Sequence, residues 1–123
     1  MIDPSSLVPS LGLTDAELFG DLPATGPRAG ADRGEPQTRT RVLFDHGPVN
    51  CGVWECTPGG WAIEDRPNTE IVHILLGAAT ITDADGTVHE LTAGSAHVLP
   101  KGWSGRWDIS ETIRKLYVTI DGI

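Results

Sequence analysis

Glu70-Ile-Val-His-Ile-Leu-Leu-Gly77 places one carboxylate at the head of an otherwise apolar run and closes it on a glycine. With the period of two of a β-strand, Glu70, Val72, Ile74 and Leu76 fall on one face, and Ile71, His73 and Leu75 on the other. Apolar residues on both faces imply a strand covered on both sides. A carboxylate on a covered face needs a cation, a metal or a proton, because an isolated buried charge costs several kcal/mol. The functional reading therefore turns on what partners Glu70.

Outward from this stretch the chain repeats one pattern, short β-like runs separated by turn residues. Thr38 to Phe44 stops at Asp45-His-Gly47-Pro48, and Val49 to Cys56 stops at Thr57-Pro58-Gly59-Gly60. Trp61 to Ile63 is brief. After Gly77 come Ala78 to Thr82, Val88 to Leu91, Ala96 to Leu99, Trp103 to Ile109 and Ile113 to Ile120. No segment after Thr38 carries a helical period over a helix length. Eight or nine such strands predict an all-β sandwich or barrel, and the two halves punctuated at Gly77 and Gly94 suggest the facing hairpins of a jelly roll.

Residues 1–37 read differently, as a mostly irregular N-terminal arm rich in Ser, Pro, Gly and Ala, ahead of a barrel over 38–123. Thr14 and Glu17 have capping-box spacing before Leu18 and Phe19, which predicts one short helix. Ala24 to Pro36 reads as a linker or an arm draped over the barrel. Leu7, Val8, Leu11, Leu13, Leu18 and Phe19 make the arm too apolar for a solvated tail, so it should dock on its own domain or a neighbour's.

With a net charge of −8 the chain lacks the basic footprint of a nucleic-acid binder. No run approaches the length of a membrane span, and Met1-Ile-Asp-Pro-Ser-Ser-Leu-Val-Pro-Ser10 lacks the pattern of a signal peptide. A cytoplasmic protein is expected. Cys51 and Cys56 point to opposite faces of one strand, which is poor geometry for a disulfide, so free thiols are expected.

The punctuation resembles the cupin family. Its first motif ends on a glutamate, six residues and a glycine, a spacing that Glu70 and Gly77 keep, with Gly60 at the motif's start. The first part of its second motif is matched by Gly94, five residues and Pro100-Lys-Gly102. The chain is similar to small single-domain cupins related to the cupin halves of ureidoglycine aminohydrolase and to ethanolamine-utilisation cupins. That similarity is carried by Gly52-Val-Trp54-Glu-Cys-Thr-Pro58-Gly59, Glu70 to Gly77, Thr82-Asp-Ala-Asp-Gly86, Pro100-Lys-Gly102-Trp103-Ser-Gly105-Arg-Trp107 and Glu111-Thr-Ile-Arg114-Lys115-Leu-Tyr117. The resemblance implies a cupin-type double-stranded β-helix, a jelly-roll barrel, and a homodimer often built by strand exchange near the N-terminus.

The departures from that pattern bear most on function. Metallo-cupins hold their ion with two histidines and a glutamate from the first motif and a histidine from the second. Here Arg66 and Asn68 stand where the first two histidines would fall, Gly105 stands at the third, and Glu70 alone remains. One carboxylate is not a transition-metal site. No metal or other cofactor is expected, a site rebuilt from His46, His73, His89 or His97 being the alternative.

Without an ion, Glu70 needs a cation, and along Arg114 to Ile120 the alternation puts Lys115, Tyr117 and Thr119 on one face. An ion pair between Lys115 and Glu70 inside the barrel is expected, with Glu70, Lys115 and Tyr117 as candidate catalytic residues. Trp103 and Trp107 share parity with Gly105, so both indoles should flank the cavity mouth, joined by Trp54 and Trp61. These four and His73 are the candidate ligand-binding residues, although His73 falls on the strand face opposite Glu70.

The expected function is a barrel that binds a small anionic or aromatic metabolite without the usual metal site. The alternatives are a metal-independent enzyme of isomerase, lyase, dehydratase or cyclase type using Glu70 with Lys115, a metallo-cupin with non-standard ligands, and an accessory or dimerisation protein. The expected partners are a small-molecule ligand and a second copy of the chain, with no nucleic acid and no membrane.

Overall fold

The computed structural model describes residues 3–123 as one curled antiparallel sheet of nine strands with little else. The strands are β1 (Ala24–Pro27), β2 (Ala31–Arg33), β3 (Gln37–His46), β4 (Val49–Cys56), β5 (Gly59–Ile63), β6 (Asn68–Asp83), β7 (Val88–Thr92), β8 (Ala96–Leu99) and β9 (Gly105–Asp121). A 3-10 turn at Pro4–Ser6 and a single helix, α1 (Asp15–Phe19), precede them. The Thr14–Glu17 capping box is formed, each residue's side chain accepting from the other's backbone N–H. Among the described residues no helix is long and apolar enough to cross a membrane.

Two long strands organise the sheet. β6 and β9 run antiparallel to each other, Asn68 opposite Asp121 and Asp83 opposite Gly105. The C-terminal half of β9 also pairs with β4, and its N-terminal half with β5. β6 likewise pairs with β8 over Glu70 to His73 and with β7 over Ala78 to Thr82. The sheet folds over on itself because β6 and β9 each run through both halves, which is the jelly-roll arrangement.

Here the structure differs from the sequence expectation of separate strands on either side of Gly77. The chain does not turn there. It passes through a run of register shifts between Ile74 and Ala79, with Gly77 at φ 89°, and a bulge of this kind bends a strand without ending it. Alternation cannot distinguish a strand end from a bulge, so Glu70 to Leu76 and Ala78 to Thr82 read as two strands.

The arm is mostly irregular and carries one short helix, as expected, with two short strands added. Its second half contributes β1, paired with β3, and β2, paired with β5. Ladder hydrogen bonds come from the backbone, so a stretch of weak side-chain propensity joins the sheet when neighbouring strands offer free edges.

Residues 18–22 lie on the outward face of the sheet, held by arginines. Arg114, itself buried, donates to Glu55 twice at 3.1 Å and to the carbonyls of Leu18 and Gly20 at 3.0 and 2.7 Å. Arg39 reaches the carbonyl of Leu22 and Arg41 that of Asp21. Arg114→Met is expected to cost about 3 kcal/mol, since two carbonyls lose a charged donor. It should also expose residues 18–22 to protease; limited proteolysis with an unchanged cleavage pattern would contradict the clasp.

The interior is filled by Val72, Ile74, Ile81, Leu91, Leu99, Ile109, Ile113, Cys56, Trp61 and Trp107. Both cysteines are free thiols. Burial pushes the Cys56 thiol from 9.0 up to about 11, with Arg28 and Lys115 pulling weakly the other way. The unfolded chain therefore loses this proton before the folded one does. The contribution is intact below pH 9 and fades as pH rises through about 11, at about 2 to 3 kcal/mol. Cys56→Ala should flatten the alkaline limb of the stability–pH curve, and an unchanged limb would show that other groups cause it.

Candidate functional site

The inward positions of β6 and β9 bring Glu70 and Lys115 together. They stand on paired strands with parity set by the same alternation, and Lys115 Nζ donates to Glu70 Oε2 at 2.9 Å. Both side chains are buried. The other carboxylate oxygen, Oε1, is met by Arg66 Nη2 at 3.0 Å. Each oxygen of Glu70 thus has its own cation. One of these cations stands where the sequence pattern lacks a histidine.

Aromatic faces complete the surroundings of Lys115. Its ammonium lies 4.4 Å from the Trp54 ring centre and 4.8 Å from that of Trp107, a favourable placement of a cation over the negative face of a π system. Trp61 pairs directly with Trp107 across β5 and β9, rings stacked at 6.4 Å, and meets Trp54 edge-on at 6.1 Å. Arg28, in the turn after β1, lies over Trp61 at 4.7 Å. These residues, with Thr40, Ile63, Tyr117 and Thr119, line a cavity of about 190 Å³. The Tyr117 hydroxyl donates to Asn50 at 2.8 Å, and burial raises its pKa.

Of the sequence-derived candidates, Glu70, Lys115, Tyr117, Trp54, Trp61 and Trp107 line this cavity, and Trp103 and His73 do not. β9 begins only at Gly105, so strand parity does not govern Trp103. After the turn at Gly102, at φ 87°, the Trp103 indole folds against the Gly105 backbone and donates to Asp83 at 2.8 Å. His73 is exposed on the outward face, as its odd spacing from Glu70 requires. Two lining cations were not singled out as site residues. Arg66 carried the signal of a cation four residues before Glu70 in a histidine's place; Arg28 carried none of its own, because an arm draped over the barrel does not reveal which of its side chains reaches the cavity.

The donor set decides whether a metal fits. Glu70 is the one carboxylate lining the cavity, and its two oxygens are taken by Arg66 and Lys115, charges that would repel a cation. Elsewhere, His89 Nε2 lies 2.8 Å from Asp83 Oδ2 and its ring 4.7 Å from that of His97. His89 and Trp103 engage one oxygen each of Asp83, and these bonds, that of His89 first, hold its carboxyl below its ordinary range. His46 and His73 are exposed. Among the described residues no group of three or more His, Cys, Asp or Glu is arranged to hold an ion. The residues present do not fit the metal of the metallo-cupins.

Comparison with known proteins agrees with the architecture. EutQ from Clostridium difficile superposes with a TM-score of 0.62 at 22% identity, over 70% of this chain and 69% of that one. A putative ethanolamine utilization protein Q from Salmonella typhimurium gives 0.65 at 21%, over 80% and 79%. A Thermotoga maritima protein described as a predicted oxalate decarboxylase gives 0.66 at 17%, over 90% and 99%. At these identities the likeness is one of fold. No curated protein matches the sequence. The model of the EutQ-like cupin domain matches residues 44–117, more than half of the sequence, and the chain belongs to that cupin family.

Proposed function

We propose that the protein is a binding module whose barrel cavity holds a small anionic or aromatic metabolite without a metal. The observation that carries this reading is the double pairing of Glu70 with Arg66 and Lys115 inside a cavity walled by Trp54, Trp61 and Trp107. The cations fill the electrostatic role of an ion, and the indoles offer flat apolar surface. A second reading, a metal-independent enzyme moving a proton through Glu70, is favoured by Glu70, Lys115 and Tyr117 facing the same space.

A thermal-shift screen of small organic acids and aromatics tests the first reading. A ligand present at about a hundred times its Kd adds about 2.7 kcal/mol to the folded state, which a melting curve resolves. Hits that are bound and left unaltered support the module. Turnover that disappears in Glu70→Gln under conditions where the variant is still folded moves the protein to the enzymatic reading. A screen with no shift at all contradicts both and leaves an accessory or dimerisation role.

We propose further that the protein is a homodimer. One row of side chains crosses five strands on the outward face: Val98, Ile71, Val118, Cys51 and Phe44, each opposite the next. Val98, Ile71 and Phe44 are exposed, as are Leu7, Val8 and Leu11 in the arm, and apolar surface of this extent suits contact with a second copy. A cytoplasmic location is compatible with the two free thiols.

A further inference from the structure

The charges lining the cavity do not balance. Arg28, Arg66 and Lys115 face it with Glu70 as their one acidic counterpart, although the chain as a whole is strongly acidic. Glu70 is shared between Arg66 and Lys115. Arg28 has no acid of its own; it donates to the neighbouring carbonyl of Ala29 and lies over the Trp61 ring. Desolvation works most against its cation and Arg66 adds to that, while Cys56 and Glu70 pull the other way. Two positive charges in a half-enclosed, indole-walled space are left without counter-ions, a costly arrangement that an anion relieves.

Hydrogen bonding points the same way. Trp61 Nε1 and Arg66 Nε are buried and have no acceptor, and Trp61 as a whole is only 2% exposed. Buried N–H groups are ordinarily satisfied, at about 1 to 3 kcal/mol each when they are not. Both atoms belong to residues that line the cavity and both are donors, so a partner for either would have to supply acceptors.

Resting on the binding reading above, we propose that the ligand is a small dicarboxylate. One carboxylate is taken by Arg66 and the Trp61 N–H, the other by Arg28, and the carbon skeleton lies against the indoles and Ile63. Guanidinium groups match planar carboxylates with paired N–H donors, which favours carboxylate over other anions. The apolar walls require carbon between the two charges, which inorganic anions lack.

Isothermal titration near neutral pH with phthalate, benzoate, benzamide and phenyl phosphate separates charge, geometry and ring. Phthalate is expected to bind at least about tenfold more tightly than benzoate, the order of one additional charged contact, with benzamide weakest. Arg28→Gln, at a half-exposed position in the arm, should weaken phthalate more than benzoate and so remove most of the phthalate advantage. Trp61→Phe keeps a ring and removes the N–H, and should weaken both acids. Benzamide or phenyl phosphate binding as well as phthalate overturns the dicarboxylate assignment and leaves the binding module standing. Absence of binding by all four also overturns the assignment, while the module then stands or falls by the broader thermal-shift screen.

Discussion

Glu70→Gln is expected to destabilise the fold by about 3 to 5 kcal/mol, the range for removing one member of a buried ion pair. Glutamine keeps the shape and removes the charge. Arg66 and Lys115 then share a buried space with no anion between them, and Trp54 and Trp107 compensate only part of the loss through their contacts with Lys115. Lys115→Met should cost less, because Glu70 retains Arg66 at 3.0 Å. Urea denaturation checks both, the midpoint falling further for Glu70→Gln with an unchanged slope. A midpoint equal to that of the unsubstituted protein would mean that the pairs contribute nothing net. Adding Lys115→Met to Glu70→Gln should recover stability, since the second substitution removes a stranded charge.

Gly77→Ala is expected to cost about 2 to 5 kcal/mol for a different reason. At φ 89° a side chain is disfavoured by about 1 to 2 kcal/mol. A Cβ here would also run into the carbonyl of Thr112 and the backbone of Ile113. Those atoms belong to β9 and cannot rotate away, so the bulge that lets β6 serve both halves would have to open, at about 1 to 3 kcal/mol more. Gly86→Ala is the control. Its φ is 92°, but nothing lies near the added carbon, so only the conformational part is lost. Equal costs at the two positions would show that the approach of β9 does not matter.

Glu70 and Gly77 mark what was legible in the sequence and what was not. Period-two alternation put Glu70, Lys115 and Tyr117 on inward faces because strand geometry is local and regular. The same rule put His73 outward. It failed at Trp103, which precedes its strand and follows a glycine turn, so its direction is set by the turn. It failed also at Gly77, where a bulge and a strand end share one signature. Arg28 was illegible for a third reason. Its place over Trp61 depends on β1 and β2 finding free edges, a tertiary outcome with no side-chain pattern of its own. Arg66 was legible as a missing histidine but not as a replacement, since spacing identifies a vacated position and chemistry decides what fills it.

That replacement is the central claim: an arginine and a lysine hold the carboxylate that metallo-cupins give to an ion. Elemental analysis of the purified protein, repeated after incubation with zinc, manganese, iron or nickel salts and desalting, tests it most directly. Metal well below one equivalent per chain, alike in the unsubstituted protein and in Glu70→Gln, is the predicted result. One equivalent of metal that is lost in Glu70→Gln would contradict it.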